Sequence, residues 1–583
     1  MEIEGKIEEA IKKWALKNAG EYGRAVAGKV VGKVIMEFPG ERGNVKELME
    51  EIGKECGRVN AMKREEILAE LAKYSFVKKK EEGEKKIELP NAEEGRVVTR
   101  FPPEPSGYLH IGHAKAIFLN VEGAKQYGGK MKLRMDDTNP AKGSQEFVDN
   151  IVEDLKWLGV EWSGEITYSS DYMEKIYENA DELILKNKAY ACTCTAEEVK
   201  EGREKGKECL CRAKHTEENL HEFRKMMGGK FEEGEAVLRF RGNMKSENTV
   251  MRDPALFRVI KGEHFRKKEK YKCWPTYDFV APILDSIEGV THAMRSKEYE
   301  LRDELYFEIL DILELRKPEL ISFSRLAIKG APVSKRKITP LIEEGKVSGY
   351  DDVRLPTLAA LRRRGIKAEA IREFVLSFGL SKVESEPGWD KLLSINKKLI
   401  DGEAGRRFFV RNPTKLEISG IEAKNVVLKN HPQKKEMGER EVEASSPVHI
   451  CGRDAEEIDV GEVFRLKDWC NVKLIEKGEI EGILPNGEKG RIILLKCEFA
   501  GEEGAVQKKV QWVSESSKVK AKVAVPHDLY IDGKYNENSL EEVWGWAERN
   551  CNSDEEREIF QFERYGFVVL DKKGEVLEYI FIS

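Results

Sequence analysis

Hydrophobic residues recur at helical spacing over the first 75 residues of the chain. Three such series are Ile7, Ile11 and Trp14, then Val26, Val30 and Val34, then Val45, Leu48 and Ile52. Apolar side chains every three to four positions place one face of a helix in a core. This pattern predicts an N-terminal helical extension. Residues 78–86 contain only Lys, Glu and Gly, which predicts a solvated linker, with a basic contact surface as the alternative. Extension and linker together span residues 1–88.

An alternation of strand and helix patterns begins at residue 96. Val97 and Val98 predict a short buried strand over 96–101, and the Pro-rich segment 102–107 excludes a helix. A helical pattern then runs from His110 to about residue 127, followed by a strand over 130–135 and a helix over 144–158. Alternating strands and helices predict a parallel, doubly wound sheet.

The later parts of the chain change character twice. Residues 195–270 are polar and rich in Cys and Lys and predict an insertion between a first half over 89–194 and a second half over 271–340. Residues 341–405 return to helical patterns. From 406 to 583 the pattern predicts strands: apolar residues alternate over 519–525, and Asp-Lys-Lys-Gly at 571–574 is typical of a hairpin. A β-rich, barrel-like region is predicted there.

Composition narrows the class of protein. The 583 residues are 35% charged, yet 100 Lys+Arg nearly cancel 106 Asp+Glu, so any nucleic-acid site must be a local basic face. We find no run of about 18 apolar residues and no signal-peptide pattern, and therefore predict no membrane span and a cytoplasmic location. The ten cysteines are then expected to be reduced thiols.

The motif most informative about function lies at residues 100–113, Arg-Phe-Pro-Pro-Glu-Pro-Ser-Gly-Tyr-Leu-His-Ile-Gly-His. A strand, a Pro-stiffened loop and a helix starting near His110 offer unpaired amides to an anion. Gly107 and Gly112 leave room for a nucleotide near the backbone. His110 and His113 share a helix face and can donate hydrogen bonds to phosphate oxygens. This arrangement suits a transferring phosphate whose charge grows in the transition state.

This segment resembles the HIGH signature of class I aminoacyl-tRNA synthetases. It is similar to the form of that signature found in the glutamyl/glutaminyl branch, in particular in its archaeal-type glutamyl members. The resemblance covers nearly the whole chain and includes Asp-Asp-Thr-Asn-Pro at 136–140, Trp-Pro-Thr-Tyr-Asp-Phe at 274–279 and Leu-Pro-Thr-Leu at 355–358. It implies an α/β Rossmann-type catalytic domain with an inserted acceptor-binding domain, a helical connector and a C-terminal β-barrel anticodon-binding domain. It also implies that bound tRNA is required for activation.

A second signature of that family, the KMSKS loop, is similar to Val-Ser-Lys-Arg-Lys at 333–337, which follows Ser-Arg-Leu at 324–326. Its phosphate-binding lysine is then Lys335. The first lysine of the pattern is replaced by Pro332 and the methionine by Val333, so we expect a stiffer loop.

The resemblance implies that His110, His113 and Lys335, with Mg²⁺, stabilise the transferring phosphate of ATP. It implies that the residues contacting ATP are Glu104, Ser106, Gly107, His110, Gly112, His113, Ser296, Arg325, Leu326, Ser334, Lys335 and Arg336. The expected reaction is activation of an amino acid to its adenylate, followed by transfer to the 3′ end of tRNA.

The amino acid is predicted from charge. By resemblance, Arg100 and Tyr277 face the substrate side chain, Asp136 holds its α-ammonium, and Arg295 stands where glutaminyl members carry a small neutral residue. A guanidinium pairs with a carboxylate better than with an amide. We therefore expect L-glutamate. A glutaminyl enzyme and a non-catalytic tRNA-binding paralogue stay as alternatives, and without the family Arg295 would be interpreted as a surface residue.

Metal and tRNA contacts complete the expectations. Cys192, Cys194, Cys209 and Cys211, near His215, either hold structural Zn²⁺ or stay free thiols. The partners expected are tRNA(Glu) and, if the enzyme is non-discriminating, tRNA(Gln). The basic runs 362–364 and 406–407 either meet phosphates or form solvated helix faces. The aromatic pair 408–409, near Arg411, either stacks on anticodon bases or lies in the core, and we favour the core.

Overall fold

The computed structural model describes residues 2–38, 40, 44–62, 64–71, 73–74, 86–504, 506 and 508–583. These residues form two compact units, one ending at residue 85 and one beginning at residue 86. The predicted linker at 78–86 lies outside the described residues except for Lys86. Within the described ranges, no helix is long and apolar enough to cross a membrane.

The first unit is helical, as the spacing predicts. Its helices are α1 (Glu2–Tyr22), α2 (Ala27–Glu37), α3 (Val45–Ala61) and α4 (Arg64–Leu71). Ile11, Val34 and Ile52 are buried in one core shared by these helices. Val26 and Val45 are instead exposed, because Val26 is the N-cap of α2 and Val45 is the first residue of α3.

The second unit begins with a parallel sheet. The strand order of this sheet is β1-β2-β3. Thr291 forms hydrogen bonds with the backbone of Val98 in β1. Thr291 directly precedes β8, which pairs in parallel with β9. The elements of this part are β1 (Val98–Phe101), α5 (Ile111–Lys125), β2 (Lys130–Met135), α6 (Gln145–Trp157), β3 (Thr167–Tyr168), α7 (Met173–Leu185), α10 (Tyr277–Ile287), β8 (His292–Ser296), α11 (Asp303–Ile312) and β9 (Glu319–Phe323). The predicted alternation of strands and helices is confirmed for 96–158.

A four-stranded antiparallel sheet interrupts this pattern. Its elements are β4 (Ala189–Cys192), α8 (Ala196–Lys205), α9 (Thr216–Met227), β5 (Val237–Phe240), β6 (Ala255–Val259) and β7 (Cys273–Pro275). The sheet therefore begins before residue 195 and ends after residue 270. Its outer strands carry Tyr190 and Trp274, both fully buried, which explains why composition alone placed the insertion too narrowly.

Helices follow up to residue 401, as predicted. They are α12 (Lys335–Glu343), α13 (Leu358–Arg363), α14 (Ala368–Leu376) and α15 (Trp389–Asp401). A small hairpin from the C-terminal region packs on α12: Leu529 is buried against Ile338 and Leu341. The backbone N–H of Tyr530 also donates to the carbonyl of Gly330, at 3.0 Å.

Two seven-stranded, barrel-like sheets, together with two two-stranded pairs, form most of the remaining described chain. The orders of the seven-stranded sheets are β10-β25-β26-β27-β21-β24-β11 and β19-β16-β17-β18-β12-β15-β20, each with its own core. The elements are β10 (Gly405–Arg407), β11 (Phe409–Arg411), β12 (Pro413–Ser419), β13 (Lys424–Lys429), β14 (Glu439–Ala444), β15 (Val448–Cys451), α16 (Gly452–Glu456), β16 (Val463–Leu466), β17 (Asn471–Ile483), β18 (Lys489–Phe499), β19 (Lys509–Val510), β20 (Val513–Ser514), β21 (Val519–Pro526), β22 (Tyr530–Ile531), β23 (Lys534–Tyr535), β24 (Leu540–Ala547), β25 (Ile559–Phe562), β26 (Gly566–Lys572) and β27 (Leu577–Phe581). The predicted hairpin at 571–574 is confirmed as the antiparallel pair β26–β27.

Candidate active site

A cavity of about 1030 Å³ opens where the parallel strands end. Its walls come from the end of β1, the first turns of α5, the loop after β2, the β7–α10 junction, β8 and the loop after β9. Ligands of open α/β sheets bind at the carboxyl ends of the strands. The predicted site residues that line this cavity are Arg100, Glu104, His110, Gly112, His113, Asp136, Tyr277, Arg295, Ser296, Arg325, Leu326 and Ser334.

The start of α5 is organised by its two histidines. His110 is the N-cap, and its Nδ1 accepts the Gly112 N–H at 3.1 Å, while Nδ1 of His113 accepts the His110 N–H at 3.2 Å. The two rings lie 3.9 Å apart between centroids. Gly112 is required here, because a Cβ at this position would lie 2.9 Å from the carbonyl oxygen of Leu326.

Both imidazoles are neutral at ordinary pH. Burial lowers the pKa of His113 to about 4 and that of His110 well below its usual value, with the neighbouring His113 adding to the effect. Since each Nδ1 accepts a backbone N–H, the ring proton of each neutral imidazole belongs on Nε2. The pair therefore offers two fixed N–H donors to an anion without contributing net charge.

The second signature reaches the first through Lys335. Its ammonium donates to the carbonyl of Ser106 at 2.8 Å and lies 4.8 Å from the ring centroid of Phe147. Ser106, Gly107, Lys335 and Arg336 lie outside the residues that line the cavity. Pro332 is buried, whereas Lys335 is exposed, so the loop is anchored at its start and open at its lysine.

A carboxylate with a buried oxygen also lines the cavity. Asp136 follows β2, and its Oδ1 is buried without a hydrogen-bond partner in the part of the chain that the structure describes. Burial raises the pKa of Asp136 to about 6, with Asp137 also raising it and Arg134 opposing both. An unpaired buried acceptor of this kind is costly unless a ligand supplies a donor. A substrate ammonium is such a donor.

Arg295 on β8 is buried and not on the surface. Its Nη2 pairs with Asp303, and its guanidinium carbon lies 5.1 Å from the ring centroid of Tyr306. Among the described residues, its Nε and Nη1 are buried and have no acceptor. Tyr277, the first residue of α10, lines the same cavity, and burial raises the pKa of its hydroxyl while Arg295 and Arg100 partly oppose the shift. Two unpaired guanidinium donors here favour an anionic ligand group.

Arg100 is held by a network that the sequence patterns did not reveal. Its Nε donates to Asp285 at 3.1 Å and its Nη1 to the carbonyl of Met294 at 2.7 Å. Asp285 also accepts from Arg134, which bonds to Glu288. The signal available in the sequence was spacing: Tyr277, Ala281 and Asp285 lie four residues apart and share one face of α10.

The four predicted metal-ligand cysteines converge. Their sulfur atoms all lie within 4.8 Å of one another, and two pairs, Cys192–Cys209 and Cys194–Cys211, are each 3.8 Å apart. A tetrahedron of thiolates about Zn²⁺, at roughly 2.3 Å per bond, has edges of about 3.8 Å. The donor set therefore fits zinc.

The basic runs are neither solvated faces nor free phosphate sites. Arg363 pairs with Asp571, Arg407 with Asp554 and Arg406 with Asp401, all between separate elements. Arg364 is buried with its guanidinium 5.1 Å from the ring centroid of Trp389. Arg362, Arg363 and Arg407 are partly exposed, and Arg362 pairs with Glu153. The solvated-face interpretation was wrong for Arg364 and Arg406, which are buried, because packing and ion pairing between elements do not show in a local sequence pattern.

The aromatic pair at 408–409 lies in the core, as predicted. Phe408 is fully buried and Phe409 is stacked on Phe562 at 4.8 Å between centroids. The guanidinium of Arg411 is 5.4 Å from the ring centroid of Tyr565, and both line a cavity of about 270 Å³ in the C-terminal region.

Known proteins resemble the chain over its whole length. The family model for the catalytic domain of class I (E and Q) tRNA synthetases matches residues 96–401, and two anti-codon binding domain models of that family match residues 404–488 and 509–571. The chain is 43% identical to the glutamate–tRNA ligase of Nitrosopumilus maritimus, covering 99% of both chains. It is 40% identical to that of Cenarchaeum symbiosum, covering 95% of this chain and 96% of that protein.

A solved structure gives a weaker match. The glutamate tRNA ligase of Elizabethkingia meningosepticum, in complex with its amino acid, is 21% identical, with a TM-score of 0.37 over 53% of this chain and 70% of that one.

Proposed function

The chain belongs to the class I (E and Q) tRNA synthetases, and we propose that it ligates L-glutamate to the 3′ end of tRNA(Glu) in two steps through a glutamyl-adenylate. Relatives that it matches over nearly their full length are named glutamate–tRNA ligases. The observation that carries the amino-acid choice is Arg295, buried with two unpaired N–H groups in the cavity that Asp136 also lines.

Glutamate satisfies these groups of the cavity. Its side-chain carboxylate accepts from Nε and Nη1 of Arg295, and its α-ammonium donates to Oδ1 of Asp136. Tyr277 and Arg100 line the same cavity. Glutamine would offer an NH₂ group to a buried cation, leaving donors facing donors at a cost of a few kcal/mol. A glutaminyl enzyme is disfavoured on this ground.

Activation needs no acid–base residue. A carboxylate oxygen of glutamate attacks the α-phosphorus of ATP, the new O–P bond forms, and the bond to the β-phosphate oxygen breaks to release diphosphate. The Nε2–H groups of His110 and His113 donate to the phosphate oxygens, and the Lys335 ammonium leaves the Ser106 carbonyl to reach them. Mg²⁺ bound with ATP would neutralise part of the charge on the phosphates. A ribose hydroxyl of the tRNA end then attacks the acyl carbon, the bond from that carbon to the phosphate oxygen breaks, and AMP departs with the hydroxyl proton on its phosphate.

The ATP contacts extend along both signature loops. The residues proposed for them are Glu104, Ser106, Gly107, Gly112, Ser296, Arg325, Leu326, Ser334 and Arg336, in addition to the two histidines and Lys335. The intact His110, His113, Asp136 and Lys335 disfavour a non-catalytic paralogue, which has no need of them.

We also propose a division of labour among the domains. The parallel sheet is the Rossmann-type catalytic domain, predicted over 89–194 and 271–340 and shortened where the insertion takes the strands β4 and β7. The insertion, widened to the strands β4–β7, binds the acceptor end of tRNA. Residues 341–405 connect it to an anticodon-binding region over 406–583, in which the cavity beside Arg411 and Tyr565 suits an unstacked base. Charging of tRNA(Gln) as well is the alternative that the assay below tests.

The cysteine cluster is proposed to hold a structural Zn²⁺. Cys192, Cys194, Cys209 and Cys211 would complete a closed tetrahedral site with no open position for chemistry. Its effect would be to join the β4 end to the segment before α9. His215 is not part of the group.

The test is diphosphate exchange and tRNA charging with glutamate and glutamine side by side. Total tRNA and then purified tRNA(Glu) and tRNA(Gln) are supplied in both assays. We expect charging with glutamate only, and the tRNA(Gln) reaction decides discrimination. Glutamine charging would overturn the assignment of Arg295, and tight tRNA binding without any charging would support the paralogue instead.

A further inference from the structure

A turn of the four-stranded sheet grips the loop that carries Asp136. The turn lies between β6 and β7, and it is closed by two backbone hydrogen bonds between His264 and Lys268, at 2.8 and 3.0 Å. His264 is fully buried, and its ring stacks on Trp274 of β7 with centroids 4.9 Å apart. The side chain therefore has a fixed orientation.

Every polar atom of this imidazole is used. Nδ1 accepts the N–H groups of Arg266 and Lys267, at 3.1 and 3.0 Å. Nε2 lies 2.7 Å from the carbonyl oxygen of Asp137. Because Nδ1 is an acceptor twice, Nε2 carries the proton and donates it to that carbonyl. Asp137 directly follows Asp136, so the bond fixes the backbone one residue beyond the one that carries the Asp136 carboxylate.

The neighbours of His264 hold the same loop. The carboxylate of Asp137 accepts the N–H and hydroxyl of Ser170, at 2.8 and 2.7 Å. Arg266 donates to that hydroxyl and to Asp171, at 3.2 and 3.0 Å. A Cβ on Gly143, at the far end of the loop, would lie 2.9 Å from the Phe265 ring. The Asp136 loop is thus clamped between its own sheet and the inserted turn.

We propose that His264 is a positioning residue for the amino-acid substrate: through the Asp137 carbonyl it holds the Asp136 carboxylate where the α-ammonium binds. The inference rests on the proposed function. The imidazole comes from the antiparallel sheet and the carboxylate from the parallel one, so the glutamate site depends on both. A carboxylate displaced by about 1 Å binds its cation far less well.

The experiment compares three variants of the full chain by glutamate KM and ATP KM in diphosphate exchange at saturating tRNA. His264→Phe keeps a ring against Trp274 but can neither donate nor accept a hydrogen bond. His264→Ala removes both the ring and the hydrogen bonds. We expect each to raise the glutamate KM roughly tenfold and to leave the ATP KM within about twofold. His264→Gln can still donate to Asp137, and we expect it to recover most of the loss.

The chain offers a matched control in His431. That histidine is also buried, with Nδ1 accepting the N–H groups two and three residues ahead and Nε2 lying 3.0 Å from the Asp401 carbonyl. We expect His431→Phe to cost stability while leaving the glutamate KM unchanged. Because KM does not depend on the active fraction, partial misfolding of a variant does not mimic the effect.

Three outcomes would overturn the inference: an unchanged glutamate KM in His264→Phe, an ATP KM that rises in parallel, or a His431→Phe variant with the same effect. If the His264 variants are insoluble, Arg266→Met decides, with a smaller glutamate-specific rise of about twofold to threefold expected. A parent chain that does not charge tRNA with glutamate overturns the proposed function itself, whereas an active parent with unaffected variants overturns only this inference.

Discussion

At the proposed phosphate end of the cavity (residues 104–113 and 333–336), the start of α5 presents two neutral imidazoles and its first backbone N–H groups are already paired within the chain, while Lys335 is exposed. At the proposed amino-acid end (Arg100, Asp136, Tyr277 and Arg295), both arginines are buried, and Asp136 and Arg295 have buried atoms without a partner among the described residues. ATP carries several charges and strong acceptors, so preorganised donors suffice. Glutamate differs from glutamine by one ionised group, so the distinction has to be made with buried charge.

Replacing Arg295 should break the amino-acid end most completely. In Arg295→Cys, the glutamate carboxylate loses its only proposed cationic partner with unpaired donors, and we expect kcat/KM for glutamate to fall roughly a thousandfold. Glutamine use should rise, and the ATP KM should stay within about threefold. Charging assays with both amino acids measure this.

The control for Arg295 is Arg364→Leu, which removes another buried guanidinium. It should lower the melting temperature without changing the preference for glutamate. An Arg295→Cys variant that still prefers glutamate strongly would contradict the contrast between the two ends.

Crowding the start of α5 should break the phosphate end instead. A methyl group at Gly112 meets the Leu326 carbonyl and the His110 ring, both at 2.9 Å, so the backbone must shift. We expect Gly112→Ala to lower kcat/KM for ATP roughly a hundredfold, with a much smaller effect on glutamate KM. Gly107→Ala is the matched comparison, since its nearest new contact is Lys335 at 3.8 Å. Equal effects of the two variants would count against the assigned geometry.

pH should separate the two ends. The pKa of Asp136 is raised to about 6, so its carboxylate becomes neutral as pH falls from 7 to 5 and loses its attraction for an ammonium. We expect the glutamate KM to rise about tenfold over that interval. The histidines are already neutral there, because the pKa of His113 is about 4, so the ATP KM should change little. Asp136→Asn should raise the glutamate KM and remove its pH dependence.

The same two groups should act oppositely on stability. The pKa of His113 in the folded chain is below the usual 6.5, so the unfolded chain binds more protons and stability falls as pH drops from 6.5 towards 4, by about 3 kcal/mol. The pKa of Asp136 is above the usual 3.8, so its folded environment favours the acid and stability falls as pH rises from about 4 to 6. Denaturation with and without Asp136→Asn measures the second effect.

The cysteine cluster lies outside both ends and should give the smallest kinetic effect. We expect Cys194→Ser, or treatment with a chelator, to remove about one zinc per chain and to lower the melting temperature by several degrees. The KM values for glutamate and ATP should stay within about twofold, while the KM for tRNA rises. A purified chain that contains no zinc would refute the metal assignment. So would a melting temperature that chelation does not change.

The sequence predicted those features that depend on neighbours along the chain. The start of α5, the strand β2 and the hairpin β26–β27 follow from caps, periodicity and turn residues. The Asp285 network was not predicted, because its bonds to Arg100 and Arg134 join residues 185 and 151 positions apart. For the same reason the arginine runs were misread: each side chain found a partner on another element. Arg295 was assigned by resemblance, and its burial with two unpaired N–H groups is the observation that supports an anionic ligand there.

The hairpin that packs on α12 has a practical consequence for dividing the chain. A fragment ending at residue 405 would uncover the apolar faces of Ile338 and Leu341, which Leu529 covers, and would remove the Tyr530 donor from Gly330. Both losses fall within a few residues of Lys335. Anyone wishing to produce a minimal activating fragment should therefore retain the 527–539 segment through a grafted connection, or replace the uncovered leucine and isoleucine with polar residues, before measuring its activity.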